Sequence, residues 1–297
     1  PTRIASMTIS AHYGSGKCGL SFELFPPKTE AGEKALYHHV EQLMQFRPDY
    51  ITCTYGAGGS TRKKTLDIVD GVKRRFDIPV ASHLTCVNAS VDQLRAYLED
   101  AGRRQIDYIV ALRGDPPRGE SEFTSTAGGL QYANQLVELI DAEFPNFGVA
   151  VAGYPETHQE AISPEADLEN LKRKVDAGAD IVITQLFYNN DDFFRFRDRT
   201  QKAGISIPLI PGILPVTNLA QIQRITAMCG AQLPTEFVTA LGQSEDDDSQ
   251  FRVGVDFATK QVQDLVDQEA PGVHFYVLNK SQATSKILTA LNLTRQT

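Results

Sequence analysis

The chain has 297 residues, 41% of them hydrophobic and 22% charged, with a formal net charge of −8 at pH 7. This composition is enough to bury a large core and does not read as disorder, and the acidic balance argues against nucleic-acid binding driven by phosphate neutralisation. Cys18, Cys53, Cys86 and Cys229 are scattered with no CxxC pair, and no stretch reaches the ~18 apolar residues of a membrane span, so neither a disulfide framework, a structural zinc site nor membrane association is expected, and a cytoplasmic setting is.

Residues 1–18 read as an N-terminal extension. Strand-like runs then alternate with amphipathic stretches: Leu20–Phe25 and Glu33–Phe46, Tyr50–Thr54 and Lys63–Phe76, Val80–Leu84 and Val91–Ala101. The pattern continues with Tyr108–Leu112 and Tyr132–Phe144, Val149–Ala152 and Glu165–Ala177, Ile181–Gln185 and Asp191–Ala203, then Pro208–Ile210. A long insertion, residues 232–269, precedes the last strand, Val273–Leu278, and its acidic run Glu245–Asp248 reads as a solvated helix start. Ala101-Gly102, Ala177-Gly178 and Ala203-Gly204 look like helix ends closed by a left-handed glycine. About eight βα units without an evident linker predict an α/β fold, a single-domain (β/α)8 TIM-type barrel; the alternative is an open doubly wound sheet.

In a barrel the C-terminal ends of the strands build the active site. Glu23, Thr54-Tyr55, His83, Arg113-Gly114-Asp115, Tyr154, Gln185 and Asn279-Lys280 fall there, a polar mouth that suits an enzyme better than a scaffold. Alternation puts Leu20, Phe22 and Leu24 on one face of the first strand, and Ser21, Glu23 and Phe25 on the interior face. A carboxylate so placed is desolvated and should have a raised pKa, suiting a general acid; the other reading is a Glu paired with an inward cation and doing no chemistry.

Arg113-Gly114-Asp115, followed by Pro116-Pro117, is either a ligand-binding turn or a local ion pair. Asp167, Asn170 and Lys174 share one helix stripe, which is either a solvated face or a place where Lys174 meets a phosphate and Asp167 a ribose hydroxyl. The run Gly56-Ala57-Gly58-Gly59-Ser60-Thr61 resembles a phosphate loop but fits neither GxGxxG nor a Walker pattern. His83 with Cys86 is a poor metal pair, and no metal is expected. His38-His39 and His274 look incidental. Tyr154 and His158 follow a strand within a turn-like segment.

Taken in order, SFELFPPKTE from Ser21, TCTYGAGGSTR from Thr52, ASHLTC from Ala81, IVALRGDPP from Ile109 and VAGYPETHQEA from Val151 resemble the methylenetetrahydrofolate reductase family. So do ADLENLKRKVDAGAD from Ala166, ITQLFYN from Ile183, LIPGILPVTN from Leu209 and FYVLNKS from Phe275. The resemblance runs from about Gly19 to Leu291 and is similar to the short bacterial catalytic form.

The resemblance implies a barrel holding non-covalent FAD and a ping-pong reaction. NADH or NADPH would pass hydride to flavin N5 and leave, and 5,10-methylenetetrahydrofolate would then be reduced to 5-methyltetrahydrofolate. Glu23 would be the general acid that opens the imidazolidine ring, and Asp115 would sit near flavin and pterin. FAD contacts would be Thr54, Tyr55, His83, Arg113, Gly114, Asp115, Tyr132, Ala133, Tyr154, His158, Asp167, Asn170 and Lys174. Glu23, Gln185, Gln221 and Lys280 would contact substrate, and a homo-oligomer, dimer or tetramer, is a family expectation. The chain departs from the pattern in a longer segment between Asp115 and Tyr132, in Ile225 where some relatives carry an aromatic residue, and in Lys280 where arginine is common. The rivals are a flavin barrel acting on proline, a flavin-free folate enzyme and a non-enzymatic folate-binding scaffold.

Overall fold

A computed structural model describes residues 8–14, 16–55, 62–116 and 123–293; the glycine-rich run 56–61 and Pro117 lie outside the described residues. Elements alternate along the chain as β1 (Gly19–Leu24), α1 (Glu30–Met44), β2 (Tyr50–Cys53), α2 (Arg62–Phe76), β3 (Val80–Thr85) and α3 (Val91–Arg103). There follow β4 (Tyr108–Leu112), α4 (Ala133–Glu143), β5 (Gly148–Gly153), α5 (Pro164–Asp176), β6 (Ile181–Thr184), α6 (Asn190–Lys202), β7 (Leu209–Ile210) and β8 (Gly212–Ile213). The chain then forms α7 (Leu219–Cys229), α8 (Thr235–Gly242), α9 (Asp247–Asp267), β9 (Gly272–Tyr276) and α10 (Gln282–Ala290).

The sheet order is β7-β6-β5-β4-β3-β2-β1-β9-β8, with every pairing parallel. Only Pro211 separates β7 from β8, and proline has no N–H to give a ladder. The two short pieces therefore act as one interrupted strand, whose first half pairs with β6 and second half with β9. Eight strand positions close in this way, and the TIM-type barrel is the observed fold rather than the open sheet.

Strand parity divides the core. Leu20, Phe22 and Leu24 pack outward among the helices with Leu36, Val40 and Val273. Tyr50, Ala81, Tyr108, Val110, Ala150, Ile181, Ile183 and Ile210 fill the interior. A short 3-10 helix, Ile9–Tyr13, closes the bottom of the barrel and packs into this inner cluster. Glycines make room for it: a Cβ at Gly19 would lie 2.4 Å from the Tyr13 ring, and one at Gly272 would lie 2.7 Å from it. His12 and Asp49 are 3.3 Å apart there, and the Tyr13 and Tyr50 hydroxyls share a 2.7 Å hydrogen bond.

An aspartate precedes each of β2, β4 and β6 and accepts a backbone N–H from the neighbouring strand. Asp49 takes Leu20 N at 2.8 Å, Asp107 takes Val80 N at 2.9 Å and Asp180 takes Val149 N at 2.6 Å. These bonds satisfy amides at strand starts, where the ladder has not begun, and help fix the stagger between strands.

Several boundaries differ from expectation. Gly102 lies inside α3; the chain leaves the helix through Gln105 at φ 59°, whereas Gly178 (φ 116°) and Gly204 (φ 78°) end their helices as expected. β9 stops at Tyr276, not Leu278, because Leu278 (φ 48°) and Asn279 (φ 56°) turn the chain. β1 stops at Leu24, and Phe25 N instead donates to Asn279 Oδ1 at 2.8 Å. β2 and β6 each end one residue early, at Cys53 and Thr184, so that Thr54 and Gln185 lie beyond their strands. Residues 232–269 hold α8 and α9, and the acidic run caps α9 through Asp246, which accepts from Ser249 N. With α7 these helices enclose a separate apolar cluster of Leu186, Tyr188, Leu214, Ile222 and Phe237 beside the mouth.

Candidate active site at the mouth of the barrel

Glu23 is 7% exposed, on the inner face near the end of β1. Its Oε2 lies 3.0 Å from His83 Nε2 and 3.4 Å from His274 Nε2. His274 Nδ1 is in turn 2.8 Å from Ser21 Oγ. Register explains the grouping: Ser21 is level with His274 on β9, Glu23 with Tyr276, and the two neighbouring strands supply Thr52 and His83. An ionised carboxylate only accepts, so His274 Nε2 donates to Glu23, while Nδ1 and the Ser21 hydroxyl share the second hydrogen bond.

The expected rise in the Glu23 pKa is not what the structure gives. Burial does push it up, but His83 and His274 outweigh burial and hold the carboxyl down at about 2. His274 is also not incidental: it is fully buried and joins Ser21 to Glu23. Tyr276 is a further neighbour missed from the sequence; its hydroxyl donates to Thr184 O at 2.7 Å, and its ring sits edge-on to His274 with centroids 5.2 Å apart. Strand alternation carried this signal, since Gly272, His274 and Tyr276 share the inward face of β9.

A second group forms where β4 and β5 end. Arg113 leaves β4 and is gripped by Glu160 through Nη1–Oε2 at 2.6 Å and Nη2–Oε1 at 2.9 Å, with its guanidinium 5.1 Å from the Phe123 ring centroid. Gly114 turns at φ 89°, and a Cβ there would meet Val87 Cγ1 at 2.9 Å and Thr85 Cβ at 3.0 Å. Tyr154 stacks edge-on against His158 with centroids 4.6 Å apart. Asp167 accepts His158 N at 3.0 Å, and Lys174 reaches from α5 to donate to Ala152 O at 2.6 Å. Burial drags the Lys174 ammonium down to about 8, partly offset by Asp167. The His158 imidazole is lowered by burial and by Arg113, and it also feels Glu160, Asp167 and Lys174, so these charges converge on it.

The remaining expected residues are more dispersed. Thr54 and Tyr55 are half-buried after β2, and the Tyr55 ring packs edge-on to Tyr97. Asp115, Asn170 and Lys280 are exposed, and Tyr132 is 53% exposed just before α4, whose first residue is Ala133. Gln185 folds back to accept Leu186 N at 3.0 Å, and Gln221 lies in the first turn of α7, half-buried; Ile225 belongs to the apolar cluster there. Two surface hollows lie elsewhere: one of about 460 Å³ between α6 and the loop after β5, the other of about 400 Å³ between α4 and α5; neither includes Glu23. The mouth carries the convergent polar groups, which weigh more than hollow size. No helix among the described residues is long and apolar enough to cross a membrane.

Residues 8–292 match the sequence profile of the family described as Methylenetetrahydrofolate reductase. A relative named 5,10-methylenetetrahydrofolate reductase from Escherichia coli (strain K12) is 39% identical over 280 residues, covering 94% of this chain and 92% of its own. One named Methylenetetrahydrofolate reductase (NADH) 1 from Zea mays is 37% identical over 291 residues, covering 94% of this chain and 49% of its own, so the chain spans about half the length of such plant relatives. Among solved structures, an uncharacterized protein from Clostridium thermocellum, described as binding two copies of 5-methyl-5,6,7,8-tetrahydrofolic acid, superposes with a TM-score of 0.61 at 14% identity, covering 93% of this chain and 95% of that one, a likeness of fold. With a profile spanning almost every described residue and a bacterial relative matched nearly end to end, the chain belongs to the methylenetetrahydrofolate reductase family.

Proposed function

We propose that the protein reduces 5,10-methylenetetrahydrofolate to 5-methyltetrahydrofolate with a reduced nicotinamide dinucleotide as donor and FAD as the bound carrier. The observation that carries this reading is Glu23, a buried carboxylate held between two imidazoles at the barrel mouth of a chain in this family. NADH is the donor of choice, since the maize relative carries it in its name.

The mouth fits a flavin nucleotide. Thr52 Oγ1, His83 Nδ1 and Thr85 Oγ1 are buried there without a hydrogen-bond partner among the described residues, free to meet a bound polar group. Arg113 and Lys174 would hold its phosphates, Asp167 a ribose hydroxyl, and Tyr154 and His158 would supply flat packing surfaces, with Thr54, Tyr55, Gly114 and Ala133 along the same rim. When bound, the flavin supplies two-electron transfer between nicotinamide and folate.

Glu23 handles the proton. Opening the five-membered ring of the substrate breaks a C–N10 bond, and the electron pair left on N10 must be protonated. His83 and His274 hold the Glu23 carboxyl down at about 2, so it must gain a proton before it can give one. A folate covering the mouth excludes water and favours the neutral carboxyl, and Glu23 then delivers its proton to N10. Ser21 holds His274 in the orientation this requires. Gln185 and Lys280 would orient the pterin and the acidic tail of folate respectively.

The absorbance spectrum of the purified protein is the test. The reading predicts a flavin spectrum that bleaches on addition of NADH and recovers on addition of 5,10-methylenetetrahydrofolate. A protein that binds no FAD, or whose reduced flavin is not reoxidised by the folate, contradicts it.

A further inference from the structure

Arg113 sits where an anionic ligand is expected, yet a carboxylate of the chain itself already grips it. The Arg113–Glu160 contact is bidentate at 2.6 and 2.9 Å, the geometry in which guanidinium recognises carboxylate or phosphate oxygens. The two partners are not equally fixed. The Arg113 side chain is 23% exposed, lies against the Phe123 ring and donates from Nε to Gly114 O at 3.3 Å; the Glu160 side chain is 46% exposed and has Arg113 as its ion-pair partner. Glu160 belongs to the connection between β5 and α5, where Thr157 adopts φ 78°, a strained value for a β-branched residue. Glu160 N donates to His158 Nδ1 at 3.1 Å, so this turn is tied to the ring that packs on Tyr154.

We propose that Glu160 is an internal competitor of the cofactor's phosphate: it engages Nη1 and Nη2 of the Arg113 guanidinium and must swing toward solvent when a diphosphate binds. The idea rests on the FAD reading above and adds a competitor to it. Glu160 limits affinity, because binding must break the Arg113–Glu160 pair and place a second anion beside the carboxylate. Its benefit is that Arg113 stays ordered and neutralised when no cofactor is present, at a place where Lys174 is already a desolvated cation.

Protein freed of flavin is titrated with FAD and with riboflavin, which lacks phosphate, following flavin fluorescence. Glu160→Gln and Glu160→Ser should each bind FAD about three- to tenfold more tightly than wild type, as expected for loss of a half-exposed bidentate pair, with riboflavin affinity unchanged. In an Arg113→Gln background the same Glu160 substitutions should tighten FAD binding clearly less, since only the repulsion between the two anions is then relieved. Thermal melts establish that each variant is folded. FAD affinity unchanged or weakened in folded Glu160 variants overturns the proposal, because Glu160 would then be orienting Arg113 for the ligand. Equal tightening for riboflavin overturns it as well, since phosphate would not be what is displaced. A wild-type protein with no FAD affinity defeats the cofactor reading itself, an outcome distinct from either.

Discussion

Replacing Glu23 with glutamine keeps the side chain's shape and removes its charge, so it reports how strongly the two imidazoles hold the carboxylate. The carboxyl lies at about 2 in the folded protein against an ordinary 4.5. That gap corresponds to about 3 kcal/mol in favour of the folded, ionised state. The sign follows from proton uptake: between these values the unfolded chain binds the proton that the folded protein refuses. The contribution is therefore complete above pH 4.5 and is lost as pH falls through about 2. Urea unfolding of wild type and Glu23→Gln at a series of pH values should show wild type more stable by about 3 kcal/mol near pH ~5.5, with the difference closing steadily on acidification below ~4.5. A difference that is independent of pH, or that widens in acid, would refute the picture of Glu23 as an ionised group clasped by His83 and His274.

Lys174→Ala should weaken FAD binding about tenfold to a hundredfold, the worth of a charge-assisted contact to phosphate. Because burial holds the ammonium at about 8, wild-type FAD affinity should fall as pH rises through that value, while Lys174→Arg, which keeps its charge, should not show the fall; a flat wild-type profile counts against the contact. Lys280→Ala should raise the folate KM several-fold at low ionic strength and much less at high salt, leaving flavin reduction by NADH alone; an unchanged KM makes Lys280 a surface residue. Asn279 holds Phe25 N at 2.8 Å and Phe25 O at 2.7 Å from a left-handed backbone, so Asn279→Ala should cost about 2–3 kcal/mol and Asn279→Gly, which relieves the strain but not the lost bonds, about 1 kcal/mol less. Equal losses in the two would show that φ 56° carries no strain.

The barrel was legible because its strands are short apolar runs and its helices amphipathic, and because alternation in β1 separates Phe22 from Glu23 without any tertiary information. Strand ends were less legible, since they depend on partners distant in sequence: Asn279 ends β1 by capturing Phe25 N, a contact across 254 residues. Of the strand split at Pro211, the first half was legible in Pro208–Ile210, but the second, Gly212–Ile213, is only two residues long and is recognisable only by its pairing with β9. Helices α7 and α10 were not anticipated, although Asn218 caps the first by accepting Gln221 N. In the site, Glu23 stood out by parity, but the direction of its pKa shift did not, since that depends on His83 and His274 arriving from two other strands. Glu160 was silent for a similar reason: an exposed-looking acid in a turn gains meaning only beside Arg113, 47 residues earlier.

The central claim is that Glu23 moves the proton for folate and has no part in flavin reduction. Stopped-flow spectroscopy of Glu23→Gln separates the two half-reactions by flavin absorbance. Reduction by NADH should proceed at close to the wild-type rate, while reoxidation by 5,10-methylenetetrahydrofolate should slow by about 10²–10⁴-fold, the usual contribution of a positioned acid. Reoxidation at the wild-type rate, or equal slowing of both half-reactions, would contradict the account.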